Sequence, residues 1–409
     1  MAELKGLNYM RQRLADKRIR VRIRYMYYEM KNRVVDAESV MPSNFRWLGG
    51  TLGWCAKGVD SLANRLVFDE FRDDNFGLNE IFQMNNADIF FDSATLSALI
   101  SSCSFVYISE DEDGYPKLQV IDGGNATGIL DPTTGLLTEG YAVLERDTLE
   151  QPIKEAYFTP GQTAFYENGK LTQTVSNDAP YPLLVPIIFK PDAVRPFGHS
   201  RISRACIKIT QCALRTLKRS EVSAEFYSFP QKYVLGLSND AEFNNKAATI
   251  STFLNFSKDE EGDKPVVGQF TQQSMEPYIA QVRMLASLFA AETDLTVDDL
   301  GFVSDNPSSS EAIKASHENL RLNAEGAQRS FGSGFLNTGY LAACVRDKKA
   351  YKRNQLYETK PIWAPTFKPD SSALSSIGDG VIKINQAIPG YVGNRNMKEL
   401  TGIATNEEE

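Results

Sequence analysis

The sequence predicts an α+β protein. Three observations carry this: helical periodicity runs through both ends of the chain, short strand-like runs separated by turn residues fill its middle, and two long helical runs follow, joined by a small strand-containing excursion. At 409 residues the chain exceeds what a single hydrophobic core usually serves, so at least two packed regions are expected.

Over residues 49–66, Val59, Leu62, Ala63 and Leu66 keep the three-and-four spacing of an amphipathic helix. Further helices are predicted over 78–86 and 89–102. At Phe105–Ile108 β-branched and aromatic residues replace the helical pattern, and a Gly114-Tyr115-Pro116 turn follows. Strands are predicted there and at 117–121, 140–145, 155–158, 163–167 and 170–175, with Asn168-Gly169 as a hairpin turn. Tyr181–Phe189 is apolar and interrupted by proline, which suits an edge strand or an extended connector better than a central strand.

Between Gly198 and Pro230 neither Pro nor Gly interrupts the chain, and one long helix is predicted. Ile202, Cys206, Ile209, Ala213 and Leu217 form its buried stripe; Arg201, Arg204, Lys208, Arg215 and Lys218 form a basic stripe with the same rhythm. That basic stripe reads equally as a solvated face or as a positive surface offered to DNA or to an acidic neighbouring subunit. A strand-containing excursion follows, with the acidic run Asp259-Glu260-Glu261-Gly262-Asp263, and then a helix from about Pro277 to Thr293 with Ile279, Val282, Leu285, Ala286 and Phe289 on one face. Residues 294–310 are an acidic loop. Ser308 and Glu311 form a capping box that opens a long helix, in which Gly326, Gly332, Gly334 and Gly339 predict a bend. A strand over 359–367 and short helices over 371–387 and 395–400 complete the chain.

An apolar fraction of 42% and a charged fraction of 23% are those of an ordinary globular protein, and no apolar run is long enough to cross a bilayer. The N-terminus lacks the continuous apolar segment of a signal peptide, which predicts a cytoplasmic product. Cys55, Cys103, Cys206, Cys212 and Cys344 form no C-x-x-C pair and predict buried thiols rather than disulfides or a zinc site. The net charge of -8 is not that of a protein that grips duplex DNA. It is unevenly spread: residues 1–33 hold ten Lys or Arg against Glu3, Asp16 and Glu29, while Glu407, Glu408 and Glu409 end the chain.

No reaction is specified. His199 and His317 are the two histidines, and neither has a metal-binding or triad setting. There is no phosphate-binding G-x-x-x-x-G-K-[ST] loop, Gly198-His199-Ser200 lacks the second glycine of a nucleophile elbow, and the acidic run at 259–263 lacks the spacing of a calcium loop. Carboxylate pairs such as Asp73-Asp74 and Asp298-Asp299 read as solvated surface. No enzyme, cofactor or metal site is expected.

Several phrases, in order, resemble the portal proteins of long-tailed bacteriophages. The first comprises Trp54, Ala56, Val59, Asp60, Leu62, Ala63, Arg65 and Leu66. Next come Ser104–Pro116 and Val185-Pro186, then Phe197-Gly198-His199-Ser200-Arg201-Ile202. Ala224-Glu225 with Pro230-Gln231-Lys232-Tyr233 and Gly236 follow, and then Ser309-Ser310-Glu311-Ala312-Ile313-Lys314. The resemblance covers roughly residues 20–400. It implies a portal-type fold: a helix-rich wing with a β region over 1–197, a stem helix over 198–226, a small α/β clip over 227–276, a second stem helix over 277–293, a tunnel loop over 294–310, a long bent helix and wing strand over 311–369, and a small helical crown with the tail over 370–409.

The function implied is a ring, expected as a dodecamer, at one capsid vertex of the virion, assembled in the host cytoplasm. It passes double-stranded DNA without sequence specificity and serves packaging, head-to-tail connection and ejection. Implied partners are further copies of the chain, the terminase large subunit, major capsid and scaffold proteins, and a head-tail connector, with no membrane. Asp298, Asp299, Asp305, Asn306, Ser308 and Ser309 become tunnel-loop candidates; Lys258, Asp259, Glu260 and Glu261 become clip contacts; Arg201, Arg204, Lys208, Arg215 and Lys218 remain the stem candidates. Acidic walls fit a channel that must let phosphates slide rather than hold them. If ordered, the basic N-terminal segment is a candidate for binding capsid or scaffold; a solvated, disordered arm is the alternative. A different ring-forming virion or adaptor protein without a DNA channel is the alternative function.

Overall fold

The computed structural model describes residues 4–33, 50–228, 232–235, 266–269, 274–302, 310–356, 358–367, 369 and 371–403. Two compact units divide the chain: Met1–Asn32 with Gly53–Ile207 and Ala290–Glu409, and Arg33–Leu52 with Lys208–Phe289. The chain therefore leaves the first unit twice, after Asn32 and after Ile207, and returns to it each time.

The first unit opens with helix α1 (Leu7–Tyr28), followed by α2 (Trp54–Ala63), strand β1 (Phe68–Arg72), α3 (Leu78–Gln83) and α4 (Ala87–Ser101). Strands β2 (Cys103–Glu110), β3 (Pro116–Ile121), β4 (Ala126–Leu130), β5 (Leu137–Arg146), β6 (Pro152–Thr159), β7 (Gln162–Glu167), β8 (Lys170–Ser176) and β9 (Leu184–Ile188) come next. β4 to β8 form an antiparallel meander in sequence order, while β3, β2 and β9 form a separate three-stranded sheet. β9 is an edge strand, as its proline predicts: Pro186 stands opposite Phe105 of β2, and no further strand needs its missing N–H.

Helix α5 (Arg204–Ser228) leads into the second unit, where β10 (Lys232–Leu235) pairs antiparallel with β11 (Val266–Gln269), and α6 (Glu276–Thr293) leads back. In the first unit, α7 (Ser310–Ser316), α8 (Glu318–Arg346), β12 (Lys360–Trp363), α9 (Ser371–Ala387) and α10 (Asn394–Thr401) follow. β12 pairs antiparallel with β1, nearly 300 residues earlier in the chain.

An aromatic core ties these distant segments together. Phe68 of β1 stacks on Phe91 of α4 with centroids 4.1 Å apart; Phe91 meets Phe335 of α8 edge-on at 4.7 Å; Trp363 of β12 lies 5.2 Å from Phe68. Each such pair contributes about 0.5–1.5 kcal/mol beyond its buried area. Long α8 passes through this core on its glycines. A Cβ at Gly332 would stand 2.8 Å from Pro361, at Gly334 2.8 Å from Ile187, and at Gly339 2.8 Å from Leu78. These glycines allow close packing; α8 runs over Glu318–Arg346 without interruption, and the predicted long helix is divided at His317 into α7 and α8.

The basic N-terminal segment is a helix docked on the meander, not a solvated arm. Met10 and Leu14 pack with Tyr141 and Val143 in a buried cluster. Two buried carboxylates fix the helix in place. Glu139 of β5 accepts the backbone N–H of Lys5 at 2.8 Å and of Gly6 at 2.7 Å, at the positive end of α1. It also accepts the Tyr157 hydroxyl at 2.6 Å. Glu155 of β6 accepts Arg11 Nε at 2.9 Å and Nη2 at 2.6 Å, and the Tyr141 hydroxyl. Burial and then these carboxylates push both phenols up, so they remain protonated donors. Replacing Glu139 with Gln is expected to weaken the docking by about 1–2 kcal/mol and to speed tryptic cleavage within α1. Unchanged cleavage kinetics would show that Glu139 does not hold the helix.

Candidate functional site

Within the first unit, the approach to α5 lies beside the end of α6, and Arg201 joins them. Its side chain is 5% exposed. Nη1 donates to Asp294 Oδ2 at 2.9 Å, Nη2 donates to the Thr293 carbonyl at the end of α6, and Nε donates to the Gly58 carbonyl in α2 at 3.2 Å. Asn323 of α8 donates to the same Asp294 oxygen at 2.7 Å, and Ser203 donates to Glu292 at 2.7 Å. One planar guanidinium thus fastens the approach to α5, the end of α6 and α2, and reaches α8 through Asp294.

The residues before Arg201 explain its placement. Gly198 has φ +71°, and a Cβ there would lie 2.0 Å from the Phe189 carbonyl oxygen. Ser200 Oγ donates to the Ile100 carbonyl at 2.6 Å, the Arg201 N–H to the Leu99 carbonyl at 2.8 Å, and Ile202 is 2% exposed. Chain in this geometry cannot be helical, so α5 begins at Arg204 rather than at Gly198. Phe197 carries cations on its ring, with Lys17 Nζ at 5.5 Å and the Arg13 guanidinium at 5.7 Å. The Phe-Gly-x-Ser-x-Ile phrase is therefore a junction motif. The phrase from Trp54 to Leu66 also serves packing: Trp54, Val59, Leu62 and Leu66 are buried, Asp60 accepts the Tyr28 hydroxyl at 2.9 Å, and Arg65 lies 3.8 Å over the Phe367 ring.

Just after α6, a polar network closes the start of the acidic loop. The Asp299 carboxylate accepts the Thr296 N–H and hydroxyl, each at 2.9 Å, and pairs with His317 Nε2 at 3.1 Å. Burial raises the Asp299 carboxyl, but the Thr296 hydrogen bonds and His317 outweigh it and hold the group below its ordinary value. His317 is the residue between α7 and α8, so the pair ties the described start of the loop to the point where the chain resumes as α8.

The sequence candidates are distributed as follows. Asp298 is exposed, whereas Asp299 is committed to Thr296 and His317. Asp305, Asn306, Ser308, Ser309, Lys258, Asp259, Glu260 and Glu261 lie outside the described residues. The basic stripe does not share one environment. Arg204 and Lys208 are exposed; Arg215 is half-buried and donates to Cys212 Sγ at 3.1 Å; Lys218 is 6% exposed, and Arg201 is the buried clamp. Helical spacing singled out Arg201 without its partners, because Gly58, Asp294 and Asn323 lie far from it in sequence. Among the described residues no group of three or more His, Cys, Asp or Glu could hold a metal ion, and no helix is long and apolar enough to cross a membrane.

Residues 7–373 match the sequence model of the family described as Phage portal protein, SPP1 Gp6-like. The chain belongs to this family of portal proteins. Over 394 residues it is 23% identical to the portal protein of Mycobacterium phage L5 and 24% identical to that of Mycobacterium phage D29, covering 88% of this chain and 80% of each relative. Among solved structures it is similar to a chain of the virion of a native gene transfer agent particle. That likeness has 12% identity and a TM-score of 0.45, covering 86% of this chain and 90% of the other. It is also similar to a chain from the neck of an empty gene transfer agent particle, with 11% identity and a TM-score of 0.41, covering 91% and 95%. The portal family is a structural component of the virion, and the fold of this member is α+β, as its sequence predicts.

Arg201→Met is expected to destabilise the protein by about 3 kcal/mol, because it strands Asp294 and two carbonyls without their donor. Arg201→Lys restores the charge but not the fork and is expected to recover part of that loss in urea unfolding. Asp299 has a lowered folded-state pKa, so its contribution is present above its ordinary value of 3.8 and is lost as the pH falls through the lower folded value. Asp299→Asn is therefore expected to flatten the acid limb of the stability profile below about pH 4; an unchanged limb would remove this network from the account.

Proposed function

We propose that this portal-family chain forms a dodecameric ring at one capsid vertex, through whose axial channel duplex DNA is packaged and later ejected. The observation that carries the reading is the extent of the family match: residues 7–373 include most of the first unit, with the acidic loop at 294–310, and the whole of the second. In this reading residues 1–197 and 311–369 form the wing, α5 and α6 the stem, residues 227–276 the clip, residues 294–310 the tunnel loop, and residues 370–409 the crown.

The chemistry supports transit over capture. A DNA-gripping protein concentrates Lys and Arg where phosphates lie, and each neutralised phosphate adds to affinity. This chain has a net charge of -8, and exposed Asp298 opens the proposed tunnel loop. A loop that repels phosphate lowers the residence time of the duplex and leaves it free to move. Asp299 has a different part: bound to Thr296 and His317, it anchors the loop instead of facing DNA. The buried Arg201 holds the two proposed stem helices at a common root, so force on one is transmitted to the other through a short polar link. The proposed partners follow from the ring's position: capsid and scaffold proteins around the wing, the terminase large subunit and then a head-tail connector at the clip.

Electron microscopy of the purified protein, with its solution mass measured in parallel, tests this reading. Class averages with about twelve-fold symmetry and an open axial channel are expected. A closed assembly without a channel would contradict the reading and favour an adaptor role.

A further inference from the structure

Docking of α1 gives the first unit a basic surface and leaves an acidic one unmatched on the far side of α4. Residues 1–33 carry a net charge of +7, so the remainder of the chain carries -15 within the total of -8. On α1, Arg20 and Arg22 are exposed beside Ile19, 67% exposed, and Ile23, 40% exposed. Around α3 and α4, Asp88 and Asp92 are exposed beside Met84, 69% exposed, and Ile89, 72% exposed. Arg20, Arg22, Asp88 and Asp92 form no ion pair among the described residues. Like charges crowd on each side. Burial and then Arg20, Arg195 and Arg204 push the Arg24 guanidinium down, while burial and then Asp88 push the Asp92 carboxyl up.

The two surfaces cannot satisfy each other within one copy. α1 packs against α4 through Tyr25 at Ser97 and through Arg24, which donates to the Ser101 carbonyl at 2.8 Å. At about 100° per residue, Ser97 and Ser101 stand on the side of α4 opposite Asp88 and Asp92. A closed ring needs such a pair: its head-to-tail interface joins two different, complementary patches, one from each neighbour. Each patch also mixes charge with exposed apolar side chains, the composition of a protein contact more than of a phosphate track.

We propose that Arg20 and Arg22 of one copy dock on Asp88 and Asp92 of the next, with Ile19 and Ile23 covering Met84 and Ile89. This rests on the ring-forming reading and names the surface that builds the ring. All four charged residues are exposed and form no ion pair among the described residues, so exchanging them breaks none within the subunit.

The test compares ring yield, by class averaging and solution mass, for the natural chain, R20E/R22E, D88K/D92K and the variant carrying all four changes. Each pair alone is expected to lower ring yield by about tenfold, and the combination is expected to restore it, because opposite charges again face each other. The milder R20Q/R22Q keeps the test available if a reversal fails to fold: its rings are expected to dissociate at lower salt than those of the natural chain. Rings unaffected by all of these changes would overturn the proposed interface and leave the portal reading standing. Intact rings from R20E/R22E that had lost affinity for a short DNA duplex would reassign the patch to phosphate and also overturn it. A natural chain that forms no rings would instead overturn the ring reading, and this interface with it.

Discussion

The buried guanidinium of Arg201 is the interaction on which the arrangement of the chain depends. An arginine this deeply buried is stable only when each face of its fork is answered, and here a carboxylate and two backbone carbonyls answer it. Those acceptors come from α2, from the end of α6 and from the residue that follows it. Losing the guanidinium would leave Asp294 with the Asn323 amide alone in a half-buried setting. The clamp also explains why the turn before it is so constrained: the left-handed Gly198 and the Ser200 contact with α4 place Arg201 where its three acceptors meet.

A second constraint acts between α1 and the meander. Glu139 and Glu155 are buried on adjacent strands, and their charges are balanced by the start of α1 and by Arg11. A helix in which Lys and Arg are interleaved with apolar residues is thereby fixed to the meander. The same docking leaves Arg20 and Arg22 of α1 exposed, while Arg13, Lys17 and Arg24 are engaged within the subunit. Arg20 and Arg22 on α1 and Asp88 and Asp92 on the side of α4 away from α1 are the two patches that the proposed ring contact would join.

Local rules read much of this from sequence. Periodicity found α2, α3, α4, α6, α9 and α10, turn residues found most of the meander, and Pro186 correctly marked an edge strand. The misses are long-range. β1 has no alternating pattern of its own and exists through pairing with β12, and α1 is held by carboxylates more than 100 residues away. Glycines in α8 predicted a bend; their contacts with Pro361, Ile187 and Leu78, which only the folded chain brings near, were not legible. At the candidate site, Arg201 stood out by spacing, but the stripe that contained it dissolves into exposed, half-buried and buried residues. Asp299 likewise looked like its neighbour Asp298 until Thr296 and His317 engaged it.

The central claim is that copies of this chain surround DNA at a single vertex of a capsid. An asymmetric reconstruction of DNA-filled heads containing the chain tests it most directly. The account predicts a ring of these subunits at one vertex, with density for a duplex along its axis and the segment after Thr293 directed toward it. A head in which the chain occupies several vertices, or lies away from the path of the DNA, would contradict it.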